Sequence, residues 1–165
     1  MSGQKPPRTR CSKLKPEQTL DPVSIRKTAM DYLARREHGE QELARKLLAR
    51  GFDADRVEAT LNTLIADGLL SDRRFVEAFV HSRYQKGSGP QKIRAELRQR
   101  GIDDNLIGAC LEAVDEQWPE RAREVREKKF GRQPPGDFRE RSRQMRFLLQ
   151  RGFTAEQIND AFRDE

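Results

Sequence analysis

Eight cations crowd the middle of this chain. Arg73, Arg74, Arg83 and Lys86 come first, then Lys92, Arg94, Arg98 and Arg100. Such a density draws anions, either a nucleic-acid backbone or an acidic protein surface. Between the two groups lies Gly87-Ser88-Gly89, followed by Pro90. A helix opening there could offer backbone N–H groups to one phosphate or carboxylate. The loop lacks the following Gly-Lys-Ser/Thr and the preceding strand of a nucleotide-binding loop. His38 and His81 stand alone, without a nucleophile or a metal-ligating cluster, and read as surface or helix-end histidines. Cys11 and Cys110 are far apart, with no CxxC and no histidine at ligand spacing, so neither a disulfide scaffold nor a zinc site is expected. Cys110, beside Leu111, reads as a small core residue. The carboxylates are dispersed among basic residues at helical spacing, as surface ion pairs are. No catalytic residue, cofactor or metal is expected, and the chain reads as a non-enzyme.

The elements that position these cations follow from a repeat. Arg50-Gly51-Phe52-Asp53, Arg100-Gly101-Ile102-Asp103 and Arg151-Gly152-Phe153-Thr154 recur with their glycines 50 and 51 residues apart. Each glycine has a leucine four residues before it (Leu47, Leu97, Leu148). Each has Val57, Ile107 or Ile158 six after, and Leu61, Leu111 or Phe162 ten after. A period of this size marks a repeat architecture. The unit is a joint between two helices. Its glycine takes the left-handed turn beyond a helix end, and the next apolar residue folds back on the leucine. Asp53, Asp103 or Thr154 then caps the following helix, whose fourth residue meets that same apolar side chain. Thr154 with Gln157 adds a capping box.

From Ser24 onward the pattern predicts helix almost throughout. The expected helices are 24–37, 40–50 and 54–67, then 72–86, 90–100 and 104–116, then about 119–129, 137–151 and 155–163. Ile25, Ala29, Leu33, Leu43, Leu47, Leu61, Leu64 and Ile65 form the apolar spacing of the first repeat, and Phe75, Phe79 and Val80 face inward in the second. The fold class is therefore all-α: three tandem three-helix, helix-turn-helix-like repeats, expected to form an elongated curved rod. The repeats run over 24–70, 71–117 and 118–165. Residues 1–22 carry four prolines and five basic residues with no apolar period, and read as a disordered arm.

Charged residues (36%) slightly outnumber apolar ones (35%), which leaves a thin core and much solvated helix surface. The net charge of +6 is uneven. Residues 71–101 carry 8 basic and 3 acidic side chains, and 119–151 carry 11 and 5. Residues 102–118 carry 5 acidic side chains and no basic one, whereas 24–70 balance at 8 and 8. No run approaches the ~18 apolar residues of a membrane-spanning helix, and no signal peptide is visible. A soluble cytoplasmic protein, without a membrane partner and monomeric, is expected.

Four segments together resemble the RecX family, bacterial regulators of the RecA recombinase. They are Leu33-Ala-Arg-Arg-Glu-His-Gly-Glu-Gln-Glu-Leu43, Asp67-Gly-Leu-Leu-Ser-Asp-Arg-Arg-Phe75, Ser82-Arg-Tyr-Gln-Lys-Gly-Ser-Gly-Pro90 with Ile93 and Glu96-Leu97, and Arg146-Phe-Leu-Leu-Gln-Arg-Gly-Phe153. The resemblance covers about residues 24–165. It implies a non-enzymatic, mainly inhibitory protein that binds the groove of the RecA–single-stranded DNA filament. Such proteins dampen filament growth, ATP turnover, strand exchange and co-protease activity in DNA repair and the SOS response. The family offers no catalytic residue to carry over. On charge and exposure, Arg73, Arg74, Arg83, Lys86, Lys92, Arg94 and Arg98 are the expected contact face. The competing readings are a largely sequence-nonspecific nucleic-acid binder, with the helix at Gln91–Arg100 as its reader, and a bare scaffold.

Overall fold

The structure, a computed structural model, describes residues 21–163. The expected arm therefore lies outside the described residues up to position 20, as does Cys11. Asp21 and Pro22 belong instead to the first helix: the Asp21 carboxylate accepts from the Val23 N–H, and Pro22 occupies the first turn. Proline fits there because its missing N–H has no partner to lose.

Nine α-helices and no strand occur among the described residues. They are α1 (Pro22–Leu33), α2 (Glu40–Ala49), α3 (Ala54–Ala66), α4 (Asp72–Gln85), α5 (Pro90–Gln99), α6 (Asp104–Glu112), α7 (Trp118–Phe130), α8 (Phe138–Arg151) and α9 (Ala155–Ala161). The chain divides into two compact units between Leu70 and Ser71. The first holds α1–α3 around Ile25, Ala29, Leu43, Leu47, Phe52, Val57, Leu61, Leu64 and Leu70. The second holds α4–α9, whose two repeats share one continuous core that includes Phe75, Ile93, Trp118, Leu148 and Phe153.

The three joints are built as the spacing predicts. Gly51, Gly101 and Gly152 have φ of 93°, 82° and 92°. Phe52, Ile102 and Phe153 donate their N–H to the carbonyls of Leu47, Leu97 and Leu148, five residues back, at 3.4, 3.3 and 3.2 Å. That bond satisfies a carbonyl the helix end leaves open. Asp53, Asp103 and Thr154 cap α3, α6 and α9, and the Thr154–Gln157 capping box is complete.

Several expectations are corrected. Helix α1 ends at Leu33 rather than 37, because the chain tightens there: Arg35 N–H donates to the Tyr32 carbonyl, three residues back. Helix α6 ends at Glu112 rather than 116, where Val114 leaves helical geometry (φ −124°) and a 3₁₀ turn spans Asp115–Gln117. Leu33 and Phe79 are half-buried rather than core. Ile65 is 38% exposed, one residue past the buried Val57–Leu61–Leu64 stripe. Val76, not singled out by the spacing, is fully buried on α4. Cys110 is buried, as expected.

His38 is not a surface histidine. It is 2% exposed, held between α1 and α2. Its Nδ1 lies 3.0 Å from the Arg36 carbonyl and its Nε2 lies 2.9 Å from Lys46 Nζ. The neighbours assign the tautomer: Nδ1–H donates to the carbonyl, and Nε2 accepts from the ammonium. Burial pushes the imidazole below its ordinary value against the pull of the Arg36 carbonyl, and the charges of Arg36 and Lys46 push the same way. Burial alone would raise the neighbouring Glu42 carboxyl. The hydrogen bond and charge of Arg36, with His38 and Lys46, outweigh it and hold the group below its ordinary value.

Both shifts act in one direction. The unfolded chain protonates His38 near 6.5 and Glu42 near 4.5, whereas the folded unit resists both. Acid therefore favours unfolding. The first unit is expected to lose stability as pH falls below about 6.5, and again below about 4.5. Hydrogen exchange of α1–α3 amides across this range checks it. His38→Gln should remove the upper step and keep the lower one; an unchanged upper step would mean that another group titrates.

Candidate functional site

The seven expected contact residues lie on α4, at its end and on α5, all within the second unit. Arg73 and Arg74 are exposed in the first turn of α4, just after the Ser71 cap. Cations there oppose the positive end of the helix dipole, so helix stability does not explain them. Arg73 reaches Glu77 only at 3.8 Å, with both side chains well exposed, a pairing of little energetic weight. Lys86 is exposed at the other end of α4.

Arg83 serves structure. Its Nε donates to Glu96 Oε2 at 2.8 Å, and its guanidinium lies 4.6 Å from the Phe79 ring centre. Arg94 and Arg98 converge on a single carboxylate. Arg98 donates from Nε and Nη2 to Asp104 at 2.7 and 2.8 Å, and Arg94 Nη1 reaches the same group at 3.2 Å. The hydrogen bond from Arg98 holds the Asp104 carboxyl below its ordinary value. The outer surface of α5 is thus less basic than its composition suggests, since an acid from α6 folds onto it. Lys92 is exposed, but its backbone lies against Gly152.

The Gly87-Ser88-Gly89 loop is not an anion cradle. The Gly89 N–H donates to the Arg151 carbonyl at 2.8 Å, and the Gln91 N–H donates to the Gly152 carbonyl at 3.0 Å. Pro90 has no N–H to offer. The start of α5 therefore satisfies the end of α8, positive end to negative end. The loop's glycines serve close approach. A Cβ on Gly89 would fall 2.3 Å from the Gly152 carbonyl carbon, and one on Gly87 would fall 2.8 Å from Val125 Cγ2.

The same junction builds a cleft of about 360 Å³ that residue spacing does not reveal. The end of α4 contributes Gln85, Lys86 and Gly87, α7 contributes Arg121, Glu124, Val125, Lys128 and Lys129, and α8 contributes Phe147 and Arg151. The one sequence signal was the basic excess over 119–151, with the Lys128-Lys129 pair inside it. The other arginines of this region are dispersed. Arg141 lies 5.0 Å from the Phe162 ring centre, Arg143 pairs with Glu140 at 3.7 Å, and Arg139 and Arg146 are exposed.

Among the described residues, no group of three or more His, Cys, Asp or Glu side chains could hold a metal. His81 is exposed on α4, and no described helix is long and apolar enough to cross a membrane.

Comparison with known proteins gives a consistent pattern. Residues 26–64, 71–111 and 115–162 match the family models described as the first, second and third three-helix domains of RecX. A regulatory protein RecX from Halorhodospira halophila is 48% identical over 138 residues, covering 84% of this chain and 86% of that protein. One from Pseudomonas syringae pv. tomato is 47% identical over 137 residues, covering 83% and 88%. The crystal structure of RecX from Lactobacillus salivarius superposes with a TM-score of 0.77 at 24% identity, over 87% of this chain and 95% of that one. At that identity the likeness is one of fold.

Proposed function

The chain belongs to the RecX family of regulatory proteins, and we propose on that footing that it regulates the RecA recombinase as a non-enzymatic inhibitor. It would bind in the groove of the RecA–single-stranded DNA filament and dampen ATP hydrolysis, strand exchange and co-protease activity in DNA repair and the SOS response. The observation that carries this reading is the ordered match of all three RecX domains between residues 26 and 162. Three tandem units suit a filament, because a repetitive partner offers successive contact points to a repetitive ligand. Such a ligand can shift the filament toward an inactive state only by binding that state better. It would act as a monomer in the bacterial cytoplasm, where the chromosome lies.

The competing nucleic-acid reading with α5 as the reader loses support. Its start is packed on α8, and Arg94 and Arg98 are engaged with Asp104. A reading helix needs free side chains aimed at base edges. Among the expected contact residues, Arg73 and Arg74 are exposed at the helix end whose dipole disfavours cations, which supports a contact role for them.

The test is single-stranded-DNA-dependent ATP hydrolysis by RecA, titrated with this protein. Inhibition is expected far below one molecule per RecA. Inhibition only when the protein saturates the DNA would point to competition for DNA instead. Arg73→Ala with Arg74→Ala should shift the titration to several-fold higher protein without changing thermal stability. An unchanged curve would remove these two residues from the contact.

A further inference from the structure

The cleft between the end of α4 and helices α7 and α8 holds five cations, Lys86, Arg121, Lys128, Lys129 and Arg151, against one carboxylate, Glu124. Two of the five have structural work. Arg121 donates from Nε to the Tyr84 carbonyl at 2.9 Å, from Nη2 to the Gln85 carbonyl at 2.7 Å, and from Nη1 to Glu124 at 2.6 Å. Arg151 Nη1 reaches the Lys86 carbonyl at 3.4 Å, and its guanidinium lies 5.2 Å from the Phe147 ring centre. These arginines close the open carbonyls at the end of α4 and fix the cleft wall.

The three lysines do less: Lys86 at the end of α4 and Lys128 and Lys129 in the last turn of α7 favour the negative helix ends through their charge alone. Lys86, Lys128 and Lys129 are exposed, and none is in an ion pair among the described residues. Gathering like charges around one concavity costs self-repulsion that a bound anion relieves. The floor is not purely polar. Val125 and Phe147 line it, and Phe147 stacks edge-on with Phe130 at 5.3 Å.

We infer that this cleft holds the phosphodiester backbone of a single-stranded nucleic acid. Compact ammonium groups on flexible stems meet successive phosphates without requiring fork geometry. A cationic groove beside aromatic surface is the arrangement that tracks single strands without reading their sequence. The excess of 11 basic over 5 acidic residues across 119–151 extends beyond the cleft, which suits an extended polyanion better than an isolated carboxylate. The contact does not depend on the regulatory reading above. It uses a different surface from Arg73 and Arg74, at the opposite end of α4.

The test uses the full chain, a fluorescein-labelled oligothymidylate and anisotropy over a range of salt. Lys86→Ala, Lys128→Ala and Lys129→Ala combined should weaken binding by about tenfold or more at low salt. The slope of log K against log salt should become shallower by about 2, since each single-strand phosphate contact contributes roughly 0.7. All three side chains are exposed, so circular dichroism melting should be unchanged. Arg73→Ala with Arg74→Ala should leave the slope as it is. Equal affinity and slope in the lysine variant would overturn the assignment, as would failure of the unmodified protein to bind at low salt. Loss of poly-glutamate binding with oligothymidylate binding intact would overturn it in favour of an acidic protein segment. The RecA titration is run beside it and decides the regulatory reading separately: a protein that binds the oligonucleotide through these lysines yet leaves RecA untouched would fail that reading alone.

Discussion

Gly152→Ala is expected to destabilise the second unit by about 3–4 kcal/mol, far more than Gly68→Ala does the first. Both residues have left-handed backbones, with φ of 92° and 68°. For that conformation alone an alanine costs about 1–2 kcal/mol. Around Gly68 nothing lies within 4 Å of the added Cβ, so the cost stops there. At Gly152 the Cβ would fall 2.5 Å from Lys92 Cβ and 2.6 Å from the Lys92 backbone nitrogen. The start of α5 must then retreat, and the bond from Gln91 N–H to the Gly152 carbonyl goes with it. Overpacking of this kind adds about 1–3 kcal/mol. For a unit of this size each kcal/mol lowers the midpoint by about 4–8 °C, so a shift of roughly 15 °C or more is expected in thermal denaturation. Gly89→Ala should behave alike, because its Cβ would fall 2.3 Å from the Phe153 backbone nitrogen. Equal costs at Gly68 and Gly152 would show that the two repeats do not meet as tightly as their backbones indicate.

That contrast marks the boundary of what the amino-acid sequence discloses. The joint at Gly152 is legible because its parts are neighbours in the chain: a leucine four before, an apolar residue next, a cap after that. Local geometry dictates all three, and three copies make the pattern unmistakable. The meeting of Gly152 with Gly89 involves residues over sixty positions apart, and no local rule pairs them. The same holds for His38, whose burial depends on α1 and α2 closing over it, and for Arg98, whose outward position on α5 conceals the approach of Asp104. Counting charge located a basic middle repeat and a basic third repeat. It could not separate arginines spent on carbonyls and carboxylates from lysines left unpaired. Among the expected contact residues, Arg83 is paired with Glu96, and Arg94 and Arg98 with Asp104, pairings that charge counting alone does not disclose.

Trp118, just before the proline in the first turn of α7, is among the largest fully buried side chains of the second unit. It is fully buried, with its ring centre 5.2 Å from Tyr84 of α4 and 6.5 Å from Phe153 beyond α8. It therefore joins the second repeat to the third from the first turn of α7. Trp118→Ala should cost about 3–5 kcal/mol through lost burial and the cavity left behind. Trp118→Phe, which keeps a ring between Tyr84 and Phe153, should cost clearly less. The chain has 1 tryptophan, so the variants remove its fluorescence and hydrogen exchange is the suitable readout. Amides of α4–α9 should lose protection in Trp118→Ala while those of α1–α3 keep theirs, because the core around Leu43, Leu47 and Leu64 contains no residue beyond Leu70. Equal loss in both units would show that they unfold as one. Arg121 lies one turn beyond Trp118 and donates to the Tyr84 carbonyl, so Trp118→Ala should also loosen the wall of the basic cleft. Oligothymidylate binding should then weaken in a variant whose lysines are all intact, which separates the positioning of those lysines from their charge.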